Sequence, residues 1–312
     1  MKAHEAPGLW RESLTYTAGI VLGLVAAIFL SASYVLSRLF VIRRERGGVQ
    51  LLVAAHVIMG AVSLVAIPFA WPRQMPHFGA YATPLAGSVG FYLVAQAALF
   101  FALRRTDASR AAPLLGLKVP FLAVITVFLL HQPLGGMQWV AVAAAFVLNR
   151  VGGRIPAAAL GGVLLACLSY CGSDLSIKAL VVSLESVGQF RAVLLGVLLT
   201  YSFCGLVAVA VLPVVGLRVL REWHYAVPFA AAWFAAMLAL YACFASVGVV
   251  LGSIVQSTRG LISIVMAAFL ARAGLVHLER KLPAAVVVRR LAAAALMAGA
   301  ISLYVLNAPP GR

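Results

Sequence analysis

Four charged residues interrupt stretches of sequence that are otherwise almost entirely apolar: Lys118, Asp174, Lys178 and Arg259. Arg259 stands in GSIVQSTRGLIS, at 252–263, and is the sole charge between Val247 and Leu270. At a bilayer centre such a side chain costs from about 2.5–3.5 kcal/mol on insertion scales to far more on an isolated helix, so it faces protein or an aqueous path. Gly252, Gln256, Arg259 and Ser263 follow spacings of 4, 3 and 4, which put them on one helical face. A guanidinium on that face can bind an anionic group of a ligand. Its structural alternative is a buried Arg satisfied by carbonyls or by Asp174, the one acid well inside an apolar run.

Lys118 has the corresponding place in an earlier run, with Pro120 two residues on; proline gives no N–H to the carbonyl near 116 and loosens the helix there. Asp174 shares a face with Tyr170, Cys171 and Lys178. Its plainest role is an i,i+4 pair with Lys178. A carboxylate caught between desolvation and a nearby cation could instead bind and release a coupling proton. Lys178 is read as reaching a headgroup layer by snorkelling. Two cations and one counter-ion leave an excess positive field in a low-dielectric pocket. An organic anion, a phosphorylated metabolite or an amino-acid carboxylate satisfies that field, and a lipophilic cation does not.

The elements that must position these residues are membrane spans. The chain of 312 residues is 64% hydrophobic and 10% charged, against roughly 25% charged in ordinary soluble domains. No soluble fold of this size buries so much apolar side chain. Ten apolar segments, at 17–41, 49–71, 81–103, 109–130, 135–149, 157–182, 189–215, 226–246, 248–271 and 284–306, approach the ~20 residues a bilayer requires, the fifth being short. They are continuously apolar, without the alternation of barrel strands, so an all-α polytopic membrane protein is expected. No small-residue cleavage site follows the first run, which reads as a retained span behind a tail at 1–16. Cys167, Cys171, Cys204 and Cys243 lie in apolar runs without metal-ligand spacing to histidine, and are expected to be free, packed thiols.

With ten spans, Lys2, Arg11, Arg73, Arg191 and Arg312 fall on the face of the N-terminus, and 16 other basic residues fall on the opposite face. Short-loop Lys and Arg mark the cytoplasmic side, so the count puts both termini outside. The net charge of +16 is mainly this orientation signal, with attraction to anionic membrane lipids as a by-product. Basic residues scattered over several short loops do not make a nucleic-acid site.

An internal repeat organises the spans. KVPFLAVITVFLL from Lys118 aligns without gaps on RGLISIVMAAFLA from Arg259, 141 residues on, matching cation to cation and Phe128–Leu129 to Phe269–Leu270. The same offset pairs Pro72 with Pro213; at 140, Ser33 and Arg38 meet Ser173 and Lys178; VLN at 147–149 recurs at 305–307. The chain therefore divides into repeats at 17–150 and 151–307, with a short tail at 308–312. Five spans per repeat force the second copy to enter from the opposite face. Such inverted repeats put the substrate site near the midplane between them, and access alternates as they rock.

The stretches ALFFALRRTDASRAAPLLGLKVPF, ALYACFASVGVVLGSIVQSTRGL and LLHQPLGGMQWVAVAAAF resemble the drug/metabolite transporter superfamily, in its ten-helix EamA-like branch. The resemblance covers nearly the whole chain. It implies a basket of helices lined by the first, third, fourth, sixth, eighth and ninth spans, with the fifth and tenth behind. Tyr34, Tyr92, Gln96, Trp233 and Tyr241 then fall in lining helices, where they could stack on or hydrogen-bond to a ligand; packing is the plainer role of each. Where the family usually has a glutamate after the fourth helix, this chain has His131 and Gln132. Family members commonly have cytoplasmic termini, the reverse of the charge count. Sugar-phosphate carriers of the superfamily use basic residues of the ninth helix, an analogy that reaches Arg259.

The function expected is secondary transport of a small organic solute with an anionic group across the inner membrane of a prokaryote, by a monomer, coupled to a proton or counter-substrate. A phosphate-binding loop, which direct ATP drive would need, is absent, as is any cofactor motif. No zinc-binding histidine–glutamate motif, aspartate pair or serine–histidine arrangement suggests an enzyme. The rival readings are a flippase for an anionic or lipid-linked headgroup, which needs a lateral opening, and a structural or sensing membrane protein.

Overall fold

A computed structural model describes residues 7–44, 47–103, 105, 115–128, 131, 135–136, 139–140, 142–143, 156–216, 223–259, 262, 266 and 288. The regular elements among them are all helical: α1 (Pro7–Arg44), α2 (Gly48–Ala70), α3 (Phe78–Leu103), α4 (Lys118–Phe128), α5 (Ala157–Ser183), α6 (Gln189–Val215), α7 (Val227–Val247) and α8 (Val249–Ser257). Six of them, α1, α2, α3, α5, α6 and α7, are long and apolar enough to cross a membrane. Large apolar side chains such as Val65, Phe128 and Val214 stay exposed on their outer faces. Water would not tolerate so broad an apolar surface, whereas lipid does. The chain is a multi-pass membrane protein.

Boundaries follow the apolar runs closely, and three differences have physical causes. Helix α1 begins at Pro7, so the helix extends back into the segment read as a tail, while the stretch apolar enough to span begins at Tyr16; proline at the first helical position gives up an N–H that has no partner there. Lys118 opens α4 behind a 3-10 turn at Leu115–Leu117. Pro120 thus lies in the first turn, where it breaks no ladder, and the loosening it causes is this turn and no mid-helix kink. Helix α8 ends at Ser257, and the N–H of Ile262 then bonds the carbonyl of Thr258. Ser263, Gln132 and most of the fifth and tenth spans lie outside the described residues.

Three pairings hold the bundle: α1 on α7, α2 on α6 and α3 on α5, while α8 reaches α1 and α4, and α4 lies on α5. The closest crossing is between Gly60 of α2 and Gly205 of α6, where a Cβ added to either would stand 2.6 Å from the other's Cα. Lipid offers apolar side chains as much as a helix does, so membrane helices associate through such small-residue approaches. One turn before Gly60, His56 faces the ring of Tyr201 across the same crossing, centroids 6.1 Å apart. Backbone contact here thus sets the position of polar side chains.

Candidate functional site

Lys118, Asp174, Gln256 and Ser253 converge from three helices. The Lys118 ammonium lies 2.5 Å from Asp174 Oδ2. It also donates to Gln256 Oε1 at 3.2 Å, and Ser253 Oγ donates to the same Asp174 oxygen at 3.2 Å. Asp174 is 4% exposed. A cation in the first turn of α4 sits at the positive end of the helix dipole. The carboxylate from α5 offsets that, and α8 supplies an acceptor to one member of the ion pair and a donor to the other.

The helical pair of Asp174 with Lys178 is replaced by this tertiary one. Lys178 donates to the carbonyl of Ala245 at 2.8 Å, in the last turn of α7, where the helix dipole favours a cation. It is held on protein and does not snorkel to a headgroup. The polar face of α8 is also rotated by one residue from the spacing rule. Ser253 and Gln256 face the ion pair, whereas Gly252 faces α7, its absent Cβ leaving room for Phe244.

Arg259 follows α8, its guanidinium 5.8 Å from the centroid of the Tyr34 ring, and its charge also acts on Asp174. The Lys118 ammonium stands 6.0 Å from the Tyr170 ring. The two cations are anchored alike. The carbonyl of Arg259 accepts from Ser31 Oγ at 3.0 Å, and that of Lys118 accepts from Cys171 Sγ at 3.4 Å. The acceptors are 141 residues apart and the donors 140.

The other residues singled out in the lining helices, Tyr92, Gln96, Trp233 and Tyr241, are buried in a second cluster among α2, α3, α6 and α7. His56 Nδ1 lies 2.7 Å from the carbonyl of Leu52, which can only accept, so Nδ1 carries the proton. Nε2 then accepts from the Tyr92 hydroxyl at 2.9 Å. Trp233 Nε1 donates to the Tyr201 hydroxyl at 2.8 Å, and the Tyr92, Tyr201 and Trp233 rings pack edge to face or tilted. Gln96 lies within hydrogen-bonding reach of Tyr92, and Tyr241 of Thr200. These groups satisfy one another.

Of the residues expected at a site, the structure brings together Lys118, Asp174 and Gln256, and sets Arg259 on Tyr34. Ser253, His56 and Tyr201 were missed. A lone histidine deep in an apolar run is a signal that could have found His56, and Ser253 stands three residues before Gln256, on its face. Nothing in an apolar run distinguishes Tyr201. None of the four cysteines is in a disulfide, and all four are buried. Among the described residues no group of three or more His, Cys, Asp or Glu side chains could hold a metal ion. His131 is exposed in a left-handed conformation, φ 51°.

No curated protein matches the sequence. A solved structure described only as "Crystal structure of protein" superimposes with a TM-score of 0.60 at 16% identity, over 96% of each chain, a likeness of fold alone. Residues 17–147 match the model of the EamA-like transporter family, which belongs to the drug/metabolite transporter superfamily.

Proposed function

We propose that the chain is a ten-span secondary carrier of the drug/metabolite transporter type, built of two inverted five-helix repeats, that moves a small organic solute with an anionic group by alternating access. A two-fold axis in the membrane plane would exchange the first span with the sixth, the second with the seventh and the third with the eighth. The observed pairings obey that operation: α1 on α7 maps to α5 on α3, and α2 on α6 maps to itself. Gly60 and Pro68 in α2 recur as Gly205 and Pro213 in α6, each proline inside its helix and eight residues past the crossing glycine. Sequence alone had paired Pro213 with Pro72, which lies beyond the end of α2.

The observation that carries the substrate class is Lys118 and Arg259 in matching places, both acting on the one buried site at Asp174. Two cations brought to one place in a region of low dielectric can together address an anionic group. The energy would come from a proton or solute gradient, or from exchange, in a prokaryotic inner membrane.

The test is thermal unfolding of purified protein in detergent with amino acids, carboxylates, sugar phosphates and cationic drugs, on wild type and Arg259→Gln. A ligand that binds only the folded state raises the midpoint with its occupancy. We expect one anionic class to stabilise wild type and not the variant, and to show saturable flux in liposomes. Stabilisation by the cationic drugs alone would refute the anion reading, and flux of a labelled lipid instead of a solute would make the protein a flippase.

A further inference from the structure

We infer that Asp174 is a built-in competitor of the substrate: it occupies Lys118 in the empty carrier, and the anionic group of the solute must displace it to bind. This rests on the reading of the chain as an anion carrier and assigns one residue of the site a role that reading does not give it. The geometry is that of a displaceable ligand. Asp174 Oδ2 approaches the Lys118 ammonium at 2.5 Å, the place an incoming carboxylate or phosphoryl oxygen would take. Gln256 Oε1 stays on Lys118 at 3.2 Å whichever anion is there.

The displaced carboxylate is also provided for. Ser253 Oγ holds the same oxygen from α8, and the charge of Arg259 acts on Asp174. Losing Lys118 therefore does not strand Asp174 without a partner, which in a buried site would be prohibitive. The two repeats differ at this point. Three residues past Cys171, which anchors Lys118, stands Asp174; three residues past Ser31, which anchors Arg259, stands Tyr34. Beside Lys118 this place holds a carboxylate and beside Arg259 it holds the Tyr34 ring, so the competition is set on the Lys118 side. Because the pair ties α4 to α5, displacement also unlatches those two helices while each keeps its contact to α8, which couples binding to the change of access.

The test uses three probes, glucose 6-phosphate, citrate and glutamate, titrated into wild type, Asp174→Asn and Ser253→Ala in detergent at fixed ionic strength, with Kd taken from the shift in unfolding midpoint. For the probe that stabilises wild type, we expect Asp174→Asn to unfold at a lower temperature when empty and to bind at least about tenfold more tightly, the scale of one charge-assisted hydrogen bond. Ser253→Ala should bind more weakly, because the displaced carboxylate then has one partner fewer. Equal or weaker binding by a monodisperse Asp174→Asn overturns the inference and leaves the carrier reading standing; it would make Asp174 a contact for the solute itself. If Asp174→Asn does not fold, Ser253→Ala decides: unchanged or tighter binding overturns the inference. If no probe moves the wild-type midpoint, the anion reading falls and this inference falls with it.

Discussion

The ion pair between Lys118 and Asp174 presents a choice between stability and function that double substitution resolves. Two charges in a low-dielectric interior contribute little net stability when paired, but removing one leaves the other uncompensated, typically costing about 3–5 kcal/mol. Ser253 and the charge of Arg259 still act on Asp174, so we predict that Lys118→Met is destabilised toward the lower end of that scale, and that Lys118→Met with Asp174→Leu recovers most of the loss in equilibrium unfolding in mixed micelles. The double variant should nevertheless bind none of the anionic probes. A double variant as unstable as the single one would show that Gln256 and Ser253, left without the charges, dominate the cost. Lys118, Asp174 and Arg259 were legible in the sequence because a charge in an apolar run is conspicuous. Their partners were not: helical periodicity is local, whereas the carboxylate that satisfies Lys118 comes from a helix 56 residues on. The nearer cation, Lys178, had the right spacing and the wrong partner, drawn to the carbonyl end of α7.

At the scale of elements, the six helices long enough to span were legible in the sequence to within a few residues of their apolar stretches. The α6 boundaries, Gln189–Val215, are those of the seventh apolar run. Which spans touch was not, since apolar helices resemble one another and contact is decided by small residues. The crossing of α2 and α6 makes this testable. Gly60→Ala places a Cβ 2.6 Å from a backbone carbon, which no rotamer change relieves. Overpacking of this kind costs typically about 1–3 kcal/mol. The strain should appear as a lower unfolding midpoint and as altered near-ultraviolet dichroism, since His56, Tyr92, Tyr201 and Trp233 are positioned by this crossing. Gly90→Ala in α3 is the control. It has nothing within 4 Å of its added Cβ, so helix propensity alone should leave it neutral or up to about 1 kcal/mol more stable. Equal effects of the two substitutions would mean that the Gly60–Gly205 contact does not set the packing.

At the scale of the whole molecule, the charge pattern decides which way the chain sits in its membrane. The 16-to-5 bias in basic residues and the resemblance to EamA-like transporters give opposite expectations. The bias is the physical argument, because short-loop Lys and Arg are retained on the cytoplasmic side during insertion. It is strongest at the two ends of α2. Arg43, Arg44 and Arg46 cluster just before its start, and Arg73 stands alone just after its end. We therefore predict that a cysteine at His77 is labelled by a membrane-impermeant maleimide in intact cells, and that a cysteine at Gly47 is labelled only after lysis. Both positions are exposed, and the four native thiols are buried, so background should be low. The orientation bears on the site. Lys118 is the tenth residue of the apolar run at 109–130 and opens α4, so with outside termini the first turn of α4 faces the cytoplasmic half of the membrane. The empty-state pair with Asp174 would then be broken by a cytoplasmic anion, which is the order of events expected of an exporter. Labelling at Gly47 in intact cells would reverse the topology. It would place three arginines outside against the charge rule, and point the same ion pair at solutes arriving from the periplasmic side.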